Sequence, residues 1–352
     1  MSGLRQALTG PGARATLSLL VVAVVFAGVL PRIGDYSAAW DLVRDLTWAE
    51  TTVLASVALV NLVSYAPLWA VALPGLGWRR AVLTDQASTA VSNTVPAGFA
   101  FGVGTTAAMY HSFGHSPAAI TRAVVVTGIW NNFVKLGMPV VALLALAVTG
   151  DATRALVVAA VLGAAVLVLA VGALIAVLAH RGAARWLAGT GERIAGRTAR
   201  LLHRPGPSGW VERVDGFRAD SRTLLQRRWP ALTLAAIGSH AALFLVLLTT
   251  LRCVGGAGAD VSGARVLAVF ALTRLVTLVP VTPGALGVAE LSYVAGLTAV
   301  GVGAATATGA VLLFRFLTWF VPIPAGVVAW ALWRRGVGRR PAPTAERALV
   351  PR

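Results

Sequence analysis

Long apolar stretches constrain this chain more than any other feature of its sequence. Several exceed the roughly 18–20 residues that a helix needs to cross about 30 Å of hydrocarbon, and they recur along most of the 352 residues. Apolar residues make up 57% of the chain and charged residues only 12%, about half the charged share of a soluble protein. We therefore expect an all-α polytopic membrane protein. A soluble enzyme, a disordered chain and a disulfide scaffold are excluded, the last because Cys253 is the single cysteine.

The apolar runs predict about six full transmembrane helices. An uncleaved span at residues 15–30 is favoured over a cleaved signal peptide, because so much membrane sequence follows it. The remaining five spans are predicted at residues 51–73, 118–148, 156–178, 231–254 and 304–333. We expect residues 1–335 to form a single transmembrane domain and residues 336–352 to form a disordered cytoplasmic tail.

Two further segments are interrupted by proline and glycine. Residues 81–116 break around Ser92-Asn93-Thr94, and residues 264–300 break at residues 280–287. A break at membrane depth is tolerated only where protein or a water-filled cavity satisfies the freed backbone groups. The pattern therefore predicts two re-entrant hairpins, each made of two half-helices.

The order of these elements predicts an inverted-topology repeat. Residues 15–150 would form one copy and residues 154–335 the other, with the second copy interrupted by an Arg-rich cytoplasmic loop at residues 180–229. Both hairpin tips carry proline and glycine followed by Gly-Val. In transporters built this way, broken helices meet near the bilayer midplane and form the substrate site.

The net charge of +17 is distributed unevenly along the chain. Residues 180–229 contain eleven arginines against four acids, so the positive-inside rule places this loop and both termini in the cytoplasm. Trp186, Leu187 and Ile194 recur at helical spacing among these arginines. We therefore expect the loop to lie on the anionic inner leaflet, and we expect no nucleic acid as a partner.

Four ionisable residues fall inside the predicted membrane segments: Lys135, Arg274, Glu290 and Arg315. Each costs at least about 2.5–3.5 kcal/mol at the bilayer centre unless it is paired or hydrated. Glu290 and Arg315 are predicted to lie at a similar depth in the membrane, so we expect them to form a pair. Three cations and one carboxylate leave a net charge of +2, which an anionic phosphate held by the three cations would match. The alternative is that Glu290 and Arg315 form a structural clamp while the other two cations snorkel.

Other polar residues in the predicted spans have a simpler explanation. Asn93, Asn131, Asn132 and His240 are expected to make interhelical hydrogen bonds, and Asn93 and Asn131 are retained as candidates for substrate contact. His111 and His115 have no cysteine or carboxylate at metal-ligand spacing. The sequence therefore predicts neither a metal site nor a cofactor, and it contains no phosphate-binding or dinucleotide fingerprint.

The second hairpin carries a recognisable signature. Thr282-Pro283-Gly284, Gly287-Val288 and Glu290, followed by Arg315 and Trp319, resemble the signature of the lysylphosphatidylglycerol synthase transmembrane-region family. This family of flippase-like proteins includes the flippase half of the multiple peptide resistance factor. The resemblance spans about residues 15–335. It implies a bacterial cytoplasmic-membrane protein that moves aminoacylated or glycosylated lipids between leaflets. Substrate contacts are implied for Thr282, Pro283, Gly284, Gly287, Glu290 and Arg315.

Two departures from this family shape the functional hypothesis. The first hairpin lacks the charged residues that many relatives carry after its proline. The 50-residue loop at 180–229 is also too small to replace the soluble aminoacyl-transfer domain of fused members. We therefore expect a lipid translocator that is not itself an enzyme.

Two other functions remain open from the sequence. One is a membrane subunit of a lipid-modifying transferase in which Glu290 acts as a base. The other is a scaffold that recruits a cytosolic synthase through the Arg-rich loop. The expected partner is an anionic phospholipid or a lipid-linked headgroup; a cytosolic lipid-modifying enzyme and a second copy of the chain are further options.

Overall fold

The computed structural model describes residues 40–41, 43–95, 98–149, 154–201, 209–255, 260–278 and 285–337. Within these ranges the chain is helical almost throughout and contains no strand, which confirms the all-α prediction. The helices are α1 (Trp48–Val63), α2 (Ala66–Ala72), α3 (Trp78–Thr94), α4 (Gly98–Ser112), α5 (Pro117–Thr149), α6 (Arg154–Ala179), α7 (Arg181–Leu201), α8 (Trp210–Gly255), α9 (Gly263–Val276), α10 (Val288–Ala299), α11 (Ala304–Arg315) and α12 (Pro322–Val337).

Five helical stretches in the described ranges are long and apolar enough to cross a membrane. They cover Trp48–Ala72, Pro117–Val148, Val157–Ala179, Ser221–Gly255 and Ala304–Gly336. Each coincides with one of the five predicted spans that follow residue 50. The predicted span at 15–30 and the tail from residue 338 onward lie outside the described residues.

Both segments that contain proline and glycine breaks are helical hairpins. In the first hairpin, α3 ends at Thr94 and α4 begins at Gly98. A side chain at Gly98 would collide with the backbone of Ser92, so the two helices are in backbone contact. In the second hairpin, residues 277–287 join α9 to α10, and Gly296 lies directly against Val269. The first break directly follows Ser92-Asn93-Thr94, which are the last residues of α3. Most of the second, residues 279–284, lies outside the described residues, and re-entry into a membrane stays a prediction.

Each hairpin packs against a spanning helix from the other half of the chain. Helix α3 packs along α12, where Gly326 lies directly against Gln86 and Ala90, and α9 packs along α5. Small residues permit this close approach between helices. An inverted repeat would produce such a reciprocal exchange, and the repeat itself stays a prediction.

The Arg-rich segment 180–229 is largely helical. It contains α7 and the first part of α8, which pack against each other. Helix α8 has 46 residues and is therefore about 69 Å long, more than twice the hydrocarbon thickness. The fifth predicted span is thus the second half of one continuous helix. The side chains of Trp186 and Ile194 are exposed, and their contact with a lipid leaflet stays a prediction.

Candidate functional site

A cavity of about 450 Å³ lies between the first hairpin and helices α5, α8 and α9. This volume is within the roughly 300–1,000 Å³ typical of small-molecule sites. The lining combines small polar and aromatic residues with one acid and one base: Tyr65, Trp69, Asp85, Ser88, Thr89, Ser92, Asn93, Phe99, Gly102, Val103, Thr106, Asn131, Ser239, His240, Leu243 and Arg274. Residues from both halves of the chain line it, so it lies where the halves meet.

Arg274 supplies the positive charge of the cavity wall. It lies in the last turn of α9, where a cation interacts favourably with the helix dipole. Its buried Nε atom has no hydrogen-bond partner among the described residues. Lys135 and Arg315 both lie close enough to repel the Arg274 guanidinium. Arg315 is paired with Glu290, so Arg274 and Lys135 supply the cationic charge that favours an anion here.

Further polar groups with unused hydrogen-bonding capacity lie in the same wall. His240 Nδ1 lies 3.0 Å from the carbonyl oxygen of Ala236, and a ring nitrogen that faces a carbonyl must be the donor. The buried Nε2 atom of His240 has no partner in the described part of the chain. Asn131 also lines the cavity, so the wall offers a guanidinium, an imidazole and an amide.

Glu290 and Arg315 form the pair that the sequence predicts. Arg315 Nε lies 2.6 Å from Glu290 Oε1, and the backbone N–H of Gly287 donates to Glu290 Oε2 at 2.7 Å. Gly287 precedes α10 with φ of +81°, a conformation that favours glycine over other residues. Only 1% of the Glu290 side chain is exposed. The pair joins the start of α10 to the end of α11 and does not line the cavity, which favours the clamp interpretation for these two residues.

A π-helical turn connects this pair to the first hairpin. The turn covers Phe316–Phe320, directly after Arg315. Asn93 Nδ2, at the end of α3, donates to the carbonyl oxygen of Trp319 at 3.0 Å. Short π segments inside α-helices are frequent at functional sites. A short path of contacts therefore runs from Asn93 through the π turn to Glu290 and the second hairpin.

The sequence analysis missed one ionisable residue, Asp85 on α3. Its side chain is buried, lines the cavity and accepts hydrogen bonds from Trp69 Nε1 at 3.3 Å and Gln86 Nε2 at 3.4 Å. With Asp85 counted, three cations and two carboxylates give the membrane-embedded set a net charge of +1, which corrects the predicted +2. A signal was available, since an acid between residues 81 and 116 lies in a segment assigned to the membrane.

The remaining predicted site residues lie apart from the cavity or outside the described ranges. Lys135 is half-buried on α5 and does not line the cavity wall. Thr282, Pro283 and Gly284 fall in the interval 279–284, outside the described residues, as does Pro96 of the first hairpin. Among the residues that the structure describes, no group of three or more side chains of the metal-ligating types is found.

A second hollow, of about 510 Å³, runs beside α7. Among the described residues, its lining comes from that one helix: Gly189, Glu192, Arg193, Gly196 and Arg197. These residues form a groove between arginines and bring no second element to it. The cavity at Arg274 is therefore the stronger candidate for a substrate site.

The chain matches the model of a known protein family. The family model described as the lysylphosphatidylglycerol synthase TM region matches residues 12–326 of this chain. Among curated proteins, no significant match is found.

Proposed function

This chain belongs to the lysylphosphatidylglycerol synthase transmembrane-region family, and on that premise we propose that it moves a phosphate-bearing lipid between membrane leaflets. The substrate would be an anionic phospholipid or a lipid-linked headgroup, including aminoacylated and glycosylated forms. The Arg-rich cytoplasmic segments support a bacterial cytoplasmic membrane as its location, with both termini inside.

Arg274 is the observation that carries this proposal. Its side chain lines the cavity with a buried Nε atom that has no partner in the described residues. Burial of a guanidinium without a carboxylate is costly unless a bound ligand supplies the anion. The planar N–H donors of arginine fit phosphate oxygens. Snorkelling does not account for a guanidinium that faces an internal cavity. Lys135 would strengthen anion binding from the flank.

The acyl or isoprenoid tails would stay outside the cavity. Phe99 lines the cavity and is also 77% exposed, so this wall extends to the apolar outer surface of the helices. Phe101, on the same helix α4, is likewise exposed. A lipid could therefore place its headgroup beside Arg274 while its tails remain in hydrocarbon next to α4.

Alternate exposure of the cavity would complete the transfer. Rocking of one half of the chain against the other around a fixed site is the usual mechanism in inverted-repeat transporters. The contact path from Asn93 through Trp319 and Arg315 to Glu290 links the tips of the two hairpins. We propose that this path makes the hairpins move together.

A lipid-movement assay with Arg274 variants tests the proposal. The protein is reconstituted in vesicles of phosphatidylethanolamine and phosphatidylglycerol, and the movement of fluorescent phosphatidylglycerol between leaflets is measured. Arg274→Gln is expected to reduce the rate at least about tenfold, because a hydrogen bond to a charged group is worth about 1.5–3 kcal/mol. Arg274→Lys should keep part of the rate, since it retains the charge but loses the planar fork.

Arg335→Gln serves as the matched control, because Arg335 is exposed near the end of α12. It should move lipid at the wild-type rate. Mass spectrometry of co-purified lipids extends the test to substrates other than phosphatidylglycerol, and Arg274→Gln should lose bound phospholipid or lipid-linked phosphate. An Arg274→Gln protein with wild-type transport and wild-type lipid content would overturn the proposal.

A further inference from the structure

Asp85 is a buried carboxylate in the cavity that the proposed phosphate contacts do not use. Its side chain is only 8% exposed. It accepts hydrogen bonds only from the neutral groups of Trp69 and Gln86, at the long distances of 3.3 and 3.4 Å. No Lys, Arg or His side chain forms an ion pair with it in the described part of the chain. An ionised carboxylate in this setting is poorly stabilised.

The groups that face Asp85 from the neighbouring helices are neutral. Trp69 on α2 and the preceding Tyr65 face it from one side, and Tyr110 on α4 from another. Helix α12 also packs on α3, and its charged residues, Arg334 and Arg335, are exposed in its last turn.

The charged and titratable groups nearest along α3 and across the cavity do not pair with Asp85 either. On α3 itself, Arg80 stacks over the ring of Phe113 with 5.1 Å from its guanidinium carbon to the ring centroid. Across the cavity lie His240 on α8 and Arg274 on α9. Neither makes an ion pair with Asp85 in the described structure. Asp85 is therefore an acid of the cavity wall without an ion-pair partner among the described residues.

Several polar atoms near Asp85 have unused hydrogen-bonding capacity. Gln86 Oε1, which can only accept, and the hydroxyls of Thr84 and Tyr110, which can donate or accept, are buried without a hydrogen-bond partner among the described residues. A carboxylic acid adds one O–H donor that a carboxylate lacks. One extra proton would thus remove a charge that has no ion-pair partner and would supply a donor to these oxygens.

We propose that Asp85 is a proton-binding site that couples lipid movement to the movement of protons across the membrane. A proton from cavity water adds to a carboxylate oxygen and gives the neutral acid, and its release restores the carboxylate; no other bond changes. Protonation raises the net charge of the membrane-embedded set from +1 to +2. The cavity then binds an anionic headgroup more strongly, so proton and lipid would enter together. This inference rests on the proposed lipid translocation.

The pH dependence of lipid movement in Asp85→Asn tests the coupling. Asparagine retains an oxygen that accepts from Trp69 but has no titratable proton, so it resembles the protonated acid. In the vesicle assay with fluorescent phosphatidylglycerol, the wild-type rate should change between about pH 4 and pH 8, the range that buried carboxylates cover. Asp85→Asn should lose this dependence. Retention of the wild-type pH profile in Asp85→Asn would overturn the inference.

Two control variants identify the titrating group. Asp260→Asn removes an exposed acid before α9 and should keep the wild-type profile. His240→Gln should also keep it, whereas loss of the dependence in His240→Gln alone would assign the proton to the histidine. Replacement of sodium by choline should leave the rate unchanged, and a requirement for sodium would contradict coupling to protons.

A measurement without lipid transport separates this inference from the proposed function. Infrared difference spectra recorded at acidic and neutral pH should show a carboxylic-acid carbonyl band that is missing in Asp85→Asn. If the band appears but no protein moves lipid, the proposed function fails while the proton site stands. If lipid moves and the wild-type band does not depend on Asp85, the proton site fails while the proposed function stands.

Discussion

The two hairpins each contain one buried carboxylate and hold it in opposite ways. Glu290 of the second hairpin pairs with Arg315 at 2.6 Å and also accepts from the N–H of Gly287. Asp85 of the first hairpin lines the cavity and accepts only weak hydrogen bonds from neutral groups. Glu290 is therefore neutralised by a cation, whereas Asp85 has only neutral hydrogen-bond partners among the described residues.

The packing around the hairpins differs in their glycine contacts. Aromatic rings pack both hairpins, since Phe270 stacks on Tyr293 in the second and Tyr110 of the first meets Trp69 edge to face at 5.5 Å. Between the two arms of the first hairpin Gly98 lies against backbone, whereas Gly296 of the second lies against a side chain. The first hairpin is therefore held by close backbone approach in addition to its aromatic contact.

The largest effect is expected when the Glu290–Arg315 pair is broken. Arg315→Met leaves a carboxylate with 1% exposure without its cation, which costs about 3–5 kcal/mol for a buried pair. Thermal unfolding in detergent should therefore shift to a clearly lower midpoint. Asp85→Asn should leave the midpoint nearly unchanged, because no ion pair is lost.

The double variant Glu290→Gln, Arg315→Met sharpens this prediction. It removes both charges and keeps an oxygen that accepts from Gly287, so it should be more stable than Arg315→Met alone. A double variant as unstable as the single one would mean that the arginine acts through packing. An unshifted midpoint in Arg315→Met would show that the pair is not a clamp.

A smaller effect is expected from alanine at the glycine contacts of the two hairpins. The added methyl group in Gly98→Ala meets the backbone of Ser92, whereas in Gly296→Ala it meets the side chain of Val269. Backbone cannot rotate away, so Gly98→Ala should cost about 1–3 kcal/mol and Gly296→Ala less. Unfolding midpoints measure both. Gly128→Ala, where no atom lies within 4 Å, is the control. Equal losses of stability in Gly98→Ala and Gly296→Ala would show that the backbone contact and the side-chain contact accommodate the added methyl group equally well.

Features set by local sequence could be predicted, and features set by long-range packing could not. Apolar runs identified the five spans after residue 50, and proline and glycine indicated that helices end near residues 95 and 277. Glu290 and Arg315 could be paired because an isolated charge at membrane depth is costly. The cavity was not predictable in place or outline, since Tyr65, Asp85, His240 and Arg274 meet there from four distant segments.

Two further differences between the predicted and the observed structure concern the extent of α8 and the position of Asp85. The fifth span begins well before residue 231, because the helix that starts at Trp210 continues through Pro230. Asp85 lies outside the apolar spans and several residues before the proline and glycine of its hairpin tip. The site therefore contains an acid that a count of charges within apolar spans alone does not find.

Cysteine accessibility at Ser239 tests the central claim, that the cavity is the path of the headgroup, most directly. Ser239→Cys, in a chain whose native cysteine is removed by Cys253→Ala, places a thiol in the cavity wall. An anionic, membrane-impermeant thiol reagent is applied to either face of sealed vesicles. The control is Asn132→Cys, because Asn132 is exposed in the middle of the candidate span α5 and would face lipid. The account predicts reaction at Ser239→Cys from both faces, with loss of lipid movement, and none at Asn132→Cys. Protection of Ser239→Cys from both faces, or full lipid movement after its modification, would contradict it.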